Sequence, residues 1–145
     1  MFNKIKNVEV ISDKELLVIF SEGVSKVYNV ERFAKHFNQF KNLLSNQELF
    51  NSVSVDQGGY GIIWDDYFDL DCNELYQHGE TIKTPFDDLI ALSDATELWG
   101  LNESTLRKAI AARRLKNGID VCKYGKQWII SRKAMTREYG IPKNK

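Results

Sequence analysis

The chain has 145 residues, which is enough for one domain of the usual size or for two small ones. Because 43% of the residues are hydrophobic and 28% are charged, the composition allows a packed core and excludes an intrinsically disordered chain. The formal net charge of zero conceals two halves of opposite sign, since residues 1–84 hold 8 Lys or Arg against 13 Asp or Glu, and residues 85–145 hold 12 against 7.

The first half of the chain is predicted to be mostly strands joined by turns. Runs of alternating or β-branched apolar residues predict strands over residues 8–11, 16–20, 24–28, 49–55 and 62–64. Ser21 to Gly23 supply the turn of a hairpin between the second and third of these strands, and the glycine-rich residues 56–61 supply the turn before the last.

Two helical segments interrupt these strands, and a connector follows them. Between Val30 and Leu44 the apolar residues recur at steps of three and four, which predicts one amphipathic helix or two short ones. Residues 71–76 predict a single helical turn that ends near Gly79. Residues 80–92 include a proline among several apolar residues, so we expect a helical or packed connector there.

The second half contains two helices in close succession. Ser93 is a candidate N-cap for a helix that ends before Gly100, and Asn102 is a candidate N-cap for a second helix that ends at Ala112 or Arg114. Short strands are predicted over residues 120–122 and 127–130, and Ser131 is the candidate cap of a last helix that ends at Gly140. Two capped helices with so short a turn between them are typical of a helix-turn-helix.

The second of these helices has the side chains of a DNA-reading element. Leu106 and Ile110 share one face of the helix, which we expect to pack inward. In a helix-turn-helix the first turn of the second helix enters the major groove. We expect a base contact from Arg107, whose planar fork fits the acceptors of guanine. The other candidate DNA-binding residues of this segment are Glu103, Ser104, Thr105, Lys108, Arg113, Arg114 and Lys116.

A basic hairpin follows the helix and is the candidate wing of the motif. Lys123 and Lys126 lie on either side of Tyr124-Gly125, where they can contact the DNA backbone or the minor groove. Residues 103–137 hold 10 basic and 2 acidic residues, and each phosphate that such residues neutralise adds affinity through counterion release. Arg113 and Arg114 have a second interpretation, in which they only complement the helix dipole. Trp128 is expected in the core of the hairpin, with intercalation as the alternative.

The second half also resembles a known family. The stretch from Ser93 to Ile110, followed by Tyr124-Gly125-Lys126-Gln127-Trp128-Ile129-Ile130, is similar to the winged helix-turn-helix of excisionase and MerR-type proteins. The resemblance covers roughly residues 90–140 and implies DNA binding. The segment from Leu115 to Cys122 is longer than the usual link between the recognition helix and the wing of that group.

The first half resembles a small bacterial α+β domain of unknown function. The resemblance covers about residues 5–80 and depends on Leu17 to Phe20, Glu22-Gly23, Val53 to Asp56, Gly61 to Trp64 and Leu75-Tyr76. Members of that family are often encoded beside small toxin-like partners or fused to a helix-turn-helix. The resemblance therefore implies a fold and a setting, and not an activity.

An acidic cluster lies at the end of the first half, formed by Asp65, Asp66, Asp69, Asp71 and Glu74. A docking face for a basic partner protein is one interpretation, and a solvated loop is the other. Calcium binding of the EF-hand type is excluded, because the sixth position counted from Asp65 is Leu70 where that loop requires glycine.

Several classes of function find no support in the sequence. Cys72 and Cys122 have no metal-ligand spacing and are expected to be reduced thiols, and neither has a nearby histidine to activate it. No constellation of acid, base and nucleophile indicates an enzyme, and we expect no cofactor and no metal. The first residues, Met1 to Lys6, show no signal peptide, and no apolar run is long enough to span a membrane, so a cytoplasmic location is expected.

The sequence therefore predicts an α+β chain with two modules. Residues 1–82 form a sheet-plus-helix module for partner binding or dimerisation, and residues 90–141 form a winged helix-turn-helix that binds double-stranded DNA. The expected function is that of a bacterial transcriptional regulator, an antitoxin-like autorepressor in its most specific version, acting as a homodimer. In the alternative hypothesis the chain is an interaction protein whose acidic first module binds and inhibits a basic partner protein.

Overall fold

A computed structural model describes residues 3–143 of the chain. The chain forms two compact units, and the boundary between them lies between Pro85 and Phe86. Met1 and Phe2, which belong to the first predicted module and to the segment searched for a signal peptide, lie outside the described residues. Each unit has its own cluster of buried apolar residues and mixes strands with helices, so the predicted α+β class is confirmed.

The first unit contains two antiparallel sheets with strand orders β1-β2-β3-β7 and β4-β5-β6. Its elements are β1 (Ile5–Val10), β2 (Glu15–Phe20), β3 (Ser25–Asn29), α1 (Val30–Ala34), α2 (Phe40–Ser45), α3 (Gln47–Phe50), β4 (Ser54–Val55), β5 (Gly61–Asp65), β6 (Phe68–Asp71), α4 (Cys72–His78) and β7 (Glu80–Ile82). The predicted hairpin of β2 and β3 is confirmed, with Leu17 opposite Val27. Alternate residues of β2 are fully buried, which gives this sheet one face toward the core.

The strand predicted over residues 49–55 was wrong in its first part. Leu49 and Phe50 belong to helix α3, and only Ser54 and Val55 pair as a strand. The reason is local, because the Asn46 side chain accepts a hydrogen bond from the backbone N–H of Leu49 at 3.1 Å and so starts a helical turn. The apolar pattern of this segment therefore did not decide its conformation.

Aromatic side chains fill the core of the first unit. The helical period between residues 30 and 44 corresponds to the two short helices α1 and α2, and Phe33 and Phe40 meet edge to face at 4.8 Å between ring centroids. Phe40 also lies 6.4 Å from Trp64, whose indole N–H donates to the carbonyl of Phe50 at 2.9 Å. Helices and second sheet are thereby packed into one core.

Helix α4 is fixed at both ends. The Asp71 carboxylate accepts from the backbone N–H of Asn73 at 2.6 Å, which caps its first turn. Near the other end, the buried Lys26 of β3 donates to the backbone carbonyl of Tyr76 at 2.7 Å. The Lys26 Nζ also lies 4.1 Å from the centroid of the Tyr76 ring. The helix is longer than the single predicted turn, since it continues to His78 before Gly79.

The second unit packs three helices with an antiparallel sheet of strand order β8-β10-β9. Its elements are β8 (Leu89–Ala91), α5 (Leu92–Trp99), α6 (Glu103–Ala111), β9 (Val121–Tyr124), β10 (Gln127–Ser131) and α7 (Arg132–Tyr139). Its largest fully buried side chains include Trp99, Leu106, Leu115, Ile130 and Met135.

A tight turn joins α5 and α6. Gly100 has φ +64°, the left-handed conformation in which glycine is least strained, and it ends α5 as predicted. Ser93 as the cap of α5 was wrong, because β8 runs directly into the helix and Ala91 occupies the N-cap position. Asn102 does occupy the N-cap of α6, although its side chain makes no capping hydrogen bond.

The predicted connector is shorter than expected, and the helical alternative was wrong for the residues between the two strands. Residues 80–82 pair with β3, residues 89–91 pair with β10, and only residues 83–88 separate the two strands. The predicted second module begins at residue 90, which lies inside β8.

Candidate nucleic-acid interface

Helix α6 has one buried face and one exposed face. Leu106 and Ala109 are buried against the core of the second unit, with Ile110 half-buried beside them. Ser104, Arg107 and Lys108 are exposed, and Thr105 is half-buried. The helix therefore presents polar and basic side chains to solvent along most of its length, as its sequence predicts.

The first turn of α6 contains an ion pair. Arg107 Nη2 donates to Glu103 Oε1 at 2.7 Å, between residues four apart on the exposed surface of the helix. An exposed pair of this kind adds little stability. It does, however, restrict the orientation of the Arg107 guanidinium, and the spacing of four residues between Glu103 and Arg107 is the sequence signal that could have predicted the pair.

The hairpin of β9 and β10 carries its two lysines beside the tip. Lys123 and Lys126 are exposed, and Gly125 between them has φ +61°. The ammonium group of Lys123 lies 5.7 Å from the centroid of the Trp128 ring. Trp128 is half-buried and packs against the core of the unit, as expected for a residue of the hairpin core.

A cleft of about 130 Å³ brings the hairpin and the start of α6 together. Arg107 and Lys126 both line it, so the structure places the candidate base contact and one candidate phosphate contact at the same site. The cleft also includes Ser93 and Gln127, neither of which was predicted to bind DNA. The remaining lining residues are Ala91, Leu92, Glu103 and Trp128.

The other basic residues are distributed more widely. Arg113, Arg114 and Lys116 are exposed beyond the C-terminal end of α6, and none of them lines the cleft. Arg113 has φ +64°, a conformation rare for a residue with a side chain, and it turns the chain away from the helix. Their position next to the end of α6 fits both interpretations, in which they contact phosphates of the DNA or only complement the helix dipole.

One arginine of the basic segment is used inside the unit. Arg137 donates to both carboxylate oxygens of Asp120, at 3.1 and 2.8 Å, and to the carbonyl of Arg114 at 3.2 Å. Asp120 is only 6% exposed and also accepts from the backbone N–H of Lys116 at 2.8 Å. The hydrogen bonds from Arg137 hold the pKa of Asp120 below its usual value, and the pKa of Arg137 is raised in turn.

This pair organises the long link between α6 and β9. Leu115 is fully buried in the link, and Ser131 of β10 donates its backbone N–H to the carbonyl of Asp120 at 2.9 Å. Arg132 also faces its own unit, but through a ring contact, with its guanidinium 5.6 Å from the centroid of the Trp99 ring. The count of basic residues in the sequence therefore exceeds the number that is free to meet a ligand.

The acidic cluster of the first unit is partly structural. Asp65 accepts from the backbone N–H groups of Tyr67 and Phe68 in the β5–β6 turn, at 2.8 and 3.0 Å, and Asp71 caps α4. Glu74 accepts from the hydroxyl of Tyr28 at 2.7 Å. Asp66 and Asp69 are the exposed remainder of the set, and no hydrogen bond or ion pair of either side chain is found within residues 3–143.

Both cysteines are free thiols, Cys72 buried and Cys122 exposed, and burial raises the pKa of the Cys72 thiol. Across residues 3–143 no three His, Cys, Asp or Glu side chains are placed where they could hold a metal ion. Within the same residues no helix has the length and apolarity that crossing a membrane requires.

Comparison with protein families identifies both halves of the chain. A family model described as "Protein of unknown function (DUF2442)" matches residues 5–81, and a model described as "Helix-turn-helix domain" matches residues 81–144. No curated protein and no solved structure matches the chain. The predicted helix-turn-helix is thereby confirmed, while its assignment to the excisionase or MerR type stays a prediction.

Proposed function

Because the chain belongs to the DUF2442 family and continues into a helix-turn-helix domain, we propose that it is a bacterial sequence-specific DNA-binding transcriptional regulator. A helix-turn-helix suggests DNA binding, to which we add sequence specificity and a regulatory role. We also propose that the chain is cytoplasmic and not an enzyme.

The convergence of Arg107 and Lys126 on one cleft carries the proposal. In a helix-turn-helix the first turns of the second helix enter the major groove, and α6 exposes its polar face there. A basic hairpin beside that helix can act as a wing that contacts the adjacent backbone. The cleft between them supports this arrangement, since one duplex could meet both elements at once.

We assign the side chains different roles by their chemistry. Arg107 reads a base, because its fork can donate two hydrogen bonds to guanine, and Glu103 keeps that fork oriented before binding. Ser104, Thr105 and Lys108 contact bases or phosphates from the same helix. Lys123, Lys126, Arg113, Arg114 and Lys116 neutralise phosphates, which adds affinity without sequence preference.

The most specific version of the proposal is an antitoxin-like autorepressor that binds its operator as a homodimer. The setting of the family that the first half resembles supports it, together with the two half-sites that most small readers of this type recognise. In this version the first unit supplies the dimer contact or binds the protein partner.

The proposal is tested with the DNA upstream of the chain's own gene, by fluorescence anisotropy over a range of salt concentrations. We expect specific binding whose affinity falls steeply with salt. Arg107→Ala should lose about 1–3 kcal/mol of discrimination at one base pair. Lys126→Ala should weaken binding to all sequences alike and lower the salt slope by about one.

Lys41→Gln is the control, because it removes one exposed charge from the first unit. It should leave both specificity and salt slope unchanged. Absent or salt-insensitive binding would contradict the proposal. Parental binding by both the Arg107 and the Lys126 variant would contradict the assignment of the site.

A second candidate function is favoured by the exposed tip of the β5–β6 hairpin. Tyr67 is 86% exposed there, beside Asp66 and near Asp69. Such a tip could dock a basic protein partner that the chain inhibits. The test is binding of the full chain to the protein encoded beside its gene, compared with an Asp66→Asn, Asp69→Asn variant. Loss of binding in that variant, with DNA binding intact, favours this function.

A further inference from the structure

The first unit has a small cleft that the proposed DNA-binding function does not use. It measures about 150 Å³ and lies between the segment containing α1 and helix α4. The first side contributes Arg32, Phe33, His36 and Phe37, and the second contributes Glu74 and His78. Basic and aromatic side chains therefore meet at one open site.

The single carboxylate of the cleft is already engaged. Glu74 Oε2 accepts from the Tyr28 hydroxyl at 2.7 Å, and Glu74 Oε1 lies 3.8 Å from His78 Nε2. Burial, followed by the hydrogen bond to Glu74, raises the pKa of Tyr28, so the hydroxyl keeps its proton and remains a donor. Glu74 is thus oriented toward groups of its own unit rather than toward an incoming cation.

The donors on the opposite side are available. Arg32 and His36 are exposed, and no hydrogen bond or ion pair of the Arg32 side chain is found within residues 3–143. A guanidinium donates through a planar fork that matches a carboxylate, so an unpaired Arg32 selects for an anion. A metal ion fits poorly, because His36, Glu74 and His78 line the cleft but are not among any three described side chains placed where they could hold one.

The aromatic lining limits what that anion can carry. Phe33 and Phe37 are stacked at 4.4 Å between centroids with 17° between their planes, and Phe37 is still 47% exposed. Both rings line the cleft, so an aromatic ring bound there can stack on them or meet them edge to face. The volume matches about one benzene-sized group, since a cavity of roughly 150 Å³ holds benzene.

From these contacts we propose that the cleft binds a small aromatic carboxylate, with the carboxylate at Arg32 and the ring against Phe33 and Phe37. His36, which also lines the cleft, is a further donor to the same anion, whereas His78 Nε2 lies 3.8 Å from Glu74 Oε1. The proposal concerns the first unit alone, so it holds or fails independently of DNA binding by the second unit.

The test uses the full chain, titrated with benzoate and followed by the backbone and arginine side-chain signals in ¹⁵N-correlated NMR spectra. We expect saturable shifts confined to the residues around α1 and α4. Benzamide, which keeps the ring but not the charge, and acetate, which keeps the charge but not the ring, should each bind at least about tenfold more weakly.

Two variants test the two halves of the site. Arg32→Gln should weaken benzoate binding by at least about tenfold, because it removes the fork and the charge. Phe37→Leu should weaken it less, by a few-fold, because an apolar side chain remains. Lys41→Gln is the matched control, since it removes an equal charge from an exposed residue that does not line the cleft, and it should bind benzoate as the parent does.

The proposal is overturned if benzoate causes no saturable shift, or if the shifts fall outside α1 and α4. It is also overturned if benzamide or acetate binds as tightly as benzoate. Equal weakening by Arg32→Gln and Lys41→Gln would show that only net charge matters and would overturn it as well. The NMR spectrum of each variant verifies that it is folded.

Discussion

Asp120 and Arg137 show how a residue that counts as basic in the sequence can be structural in the fold. The two side chains are 17 residues apart and share two hydrogen bonds, which close the link between α6 and β9. Arg137 is half exposed, whereas Asp120 is almost fully buried. Removing the carboxylate charge would leave a guanidinium and a backbone N–H with a weaker acceptor.

We therefore expect Asp120→Asn to lower the free energy of unfolding of the second unit by about 2 kcal/mol at neutral pH, because the acceptor of these hydrogen bonds loses its charge. The folded pKa of Asp120 lies below its ordinary value of 3.8. A lowered folded pKa stabilises the protein above the unfolded pKa, and this contribution is lost as the pH falls through the folded value. The difference between parent and variant should therefore be full at pH 7 and shrink below about pH 4.

Urea unfolding followed by tryptophan fluorescence at several pH values measures this difference. Asp66→Asn is the control, because Asp66 is exposed in the β5–β6 turn and should show no comparable cost. A cost for Asp120→Asn that stays constant down to the lowest pH would contradict the role of the carboxylate charge.

Gly59 is a second position where the fold depends on one residue. It is buried with φ +79°, and a Cβ built there would lie 2.7 Å from the carbonyl oxygen of Ile5. Its neighbour Gly58 has a similar φ of +93°, but a Cβ there would meet only the ring of Tyr60, which is exposed. The two glycines thus share the backbone strain and differ in whether the obstacle can move.

Gly59→Ala should destabilise the first unit by at least about 1 kcal/mol more than Gly58→Ala does, since backbone strain alone costs roughly 1–2 kcal/mol in each. Chemical denaturation monitored by circular dichroism gives both values. Equal losses for the two variants would show that the contact with Ile5 yields without cost.

The sequence allowed some side chains to be placed and not others. The exposure of Ser104, Arg107 and Lys108 followed from the helical period, because the apolar residues of α6 define the opposite face. The sequence did not predict the Asp120–Arg137 pair or the position of Arg132 over Trp99, because such contacts arise only when distant elements pack.

At the level of elements, caps separate the correct predictions from the incorrect ones. Ser131 caps α7 as predicted, accepting from the backbone N–H of Ala134 at 3.2 Å and donating to Asp88 Oδ2 at 2.7 Å. Ser93 lies inside α5 instead, because β8 leads directly into that helix. Both serines precede apolar periodic residues, so the sequence alone could not distinguish them.

We expect Ser131→Ala to lower the stability of the second unit by about 1–2 kcal/mol, the usual cost of a lost helix cap. Ser93→Ala should change it by no more than about 0.5 kcal/mol, because alanine is a better helix former and no cap is lost. Thermal unfolding of the two single variants measures both effects. A larger loss for Ser93→Ala than for Ser131→Ala would contradict the observed helix start.

Strands β7 and β8 could not be predicted from the sequence. Strands β7 and β8 have three residues each, too few for an alternating pattern, and both are ordered by pairing with strands that are distant in sequence. Because the two strands are so short, the sequence of residues 80–92 indicated a connector. Tertiary partners decided the conformation, as they do for many short strands.

At the scale of the whole molecule, the boundary between the two units coincides with the change in charge. The first unit holds the acidic excess and the second the basic excess, each around a separate apolar core. Separate cores imply that the second unit can fold without the first. The second unit must include Asp88 to be fully stable. Asp88 Oδ1 accepts from the backbone N–H of Lys133 at 3.1 Å, and the Asp88 carbonyl accepts from the backbone N–H of Arg132 at 2.7 Å.

A fragment of residues 86–145 should therefore fold cooperatively, whereas one of residues 90–145 should be less stable by about 3 kcal/mol. The shorter fragment lacks the three hydrogen bonds that Asp88 accepts from Ser131, Arg132 and Lys133, and each such bond contributes about 1 kcal/mol net. Urea unfolding followed by the fluorescence of Trp99 and Trp128 compares the two. Equal stability would mean that β8 adds nothing to the unit, and an unfolded longer fragment would mean that the second core depends on the first.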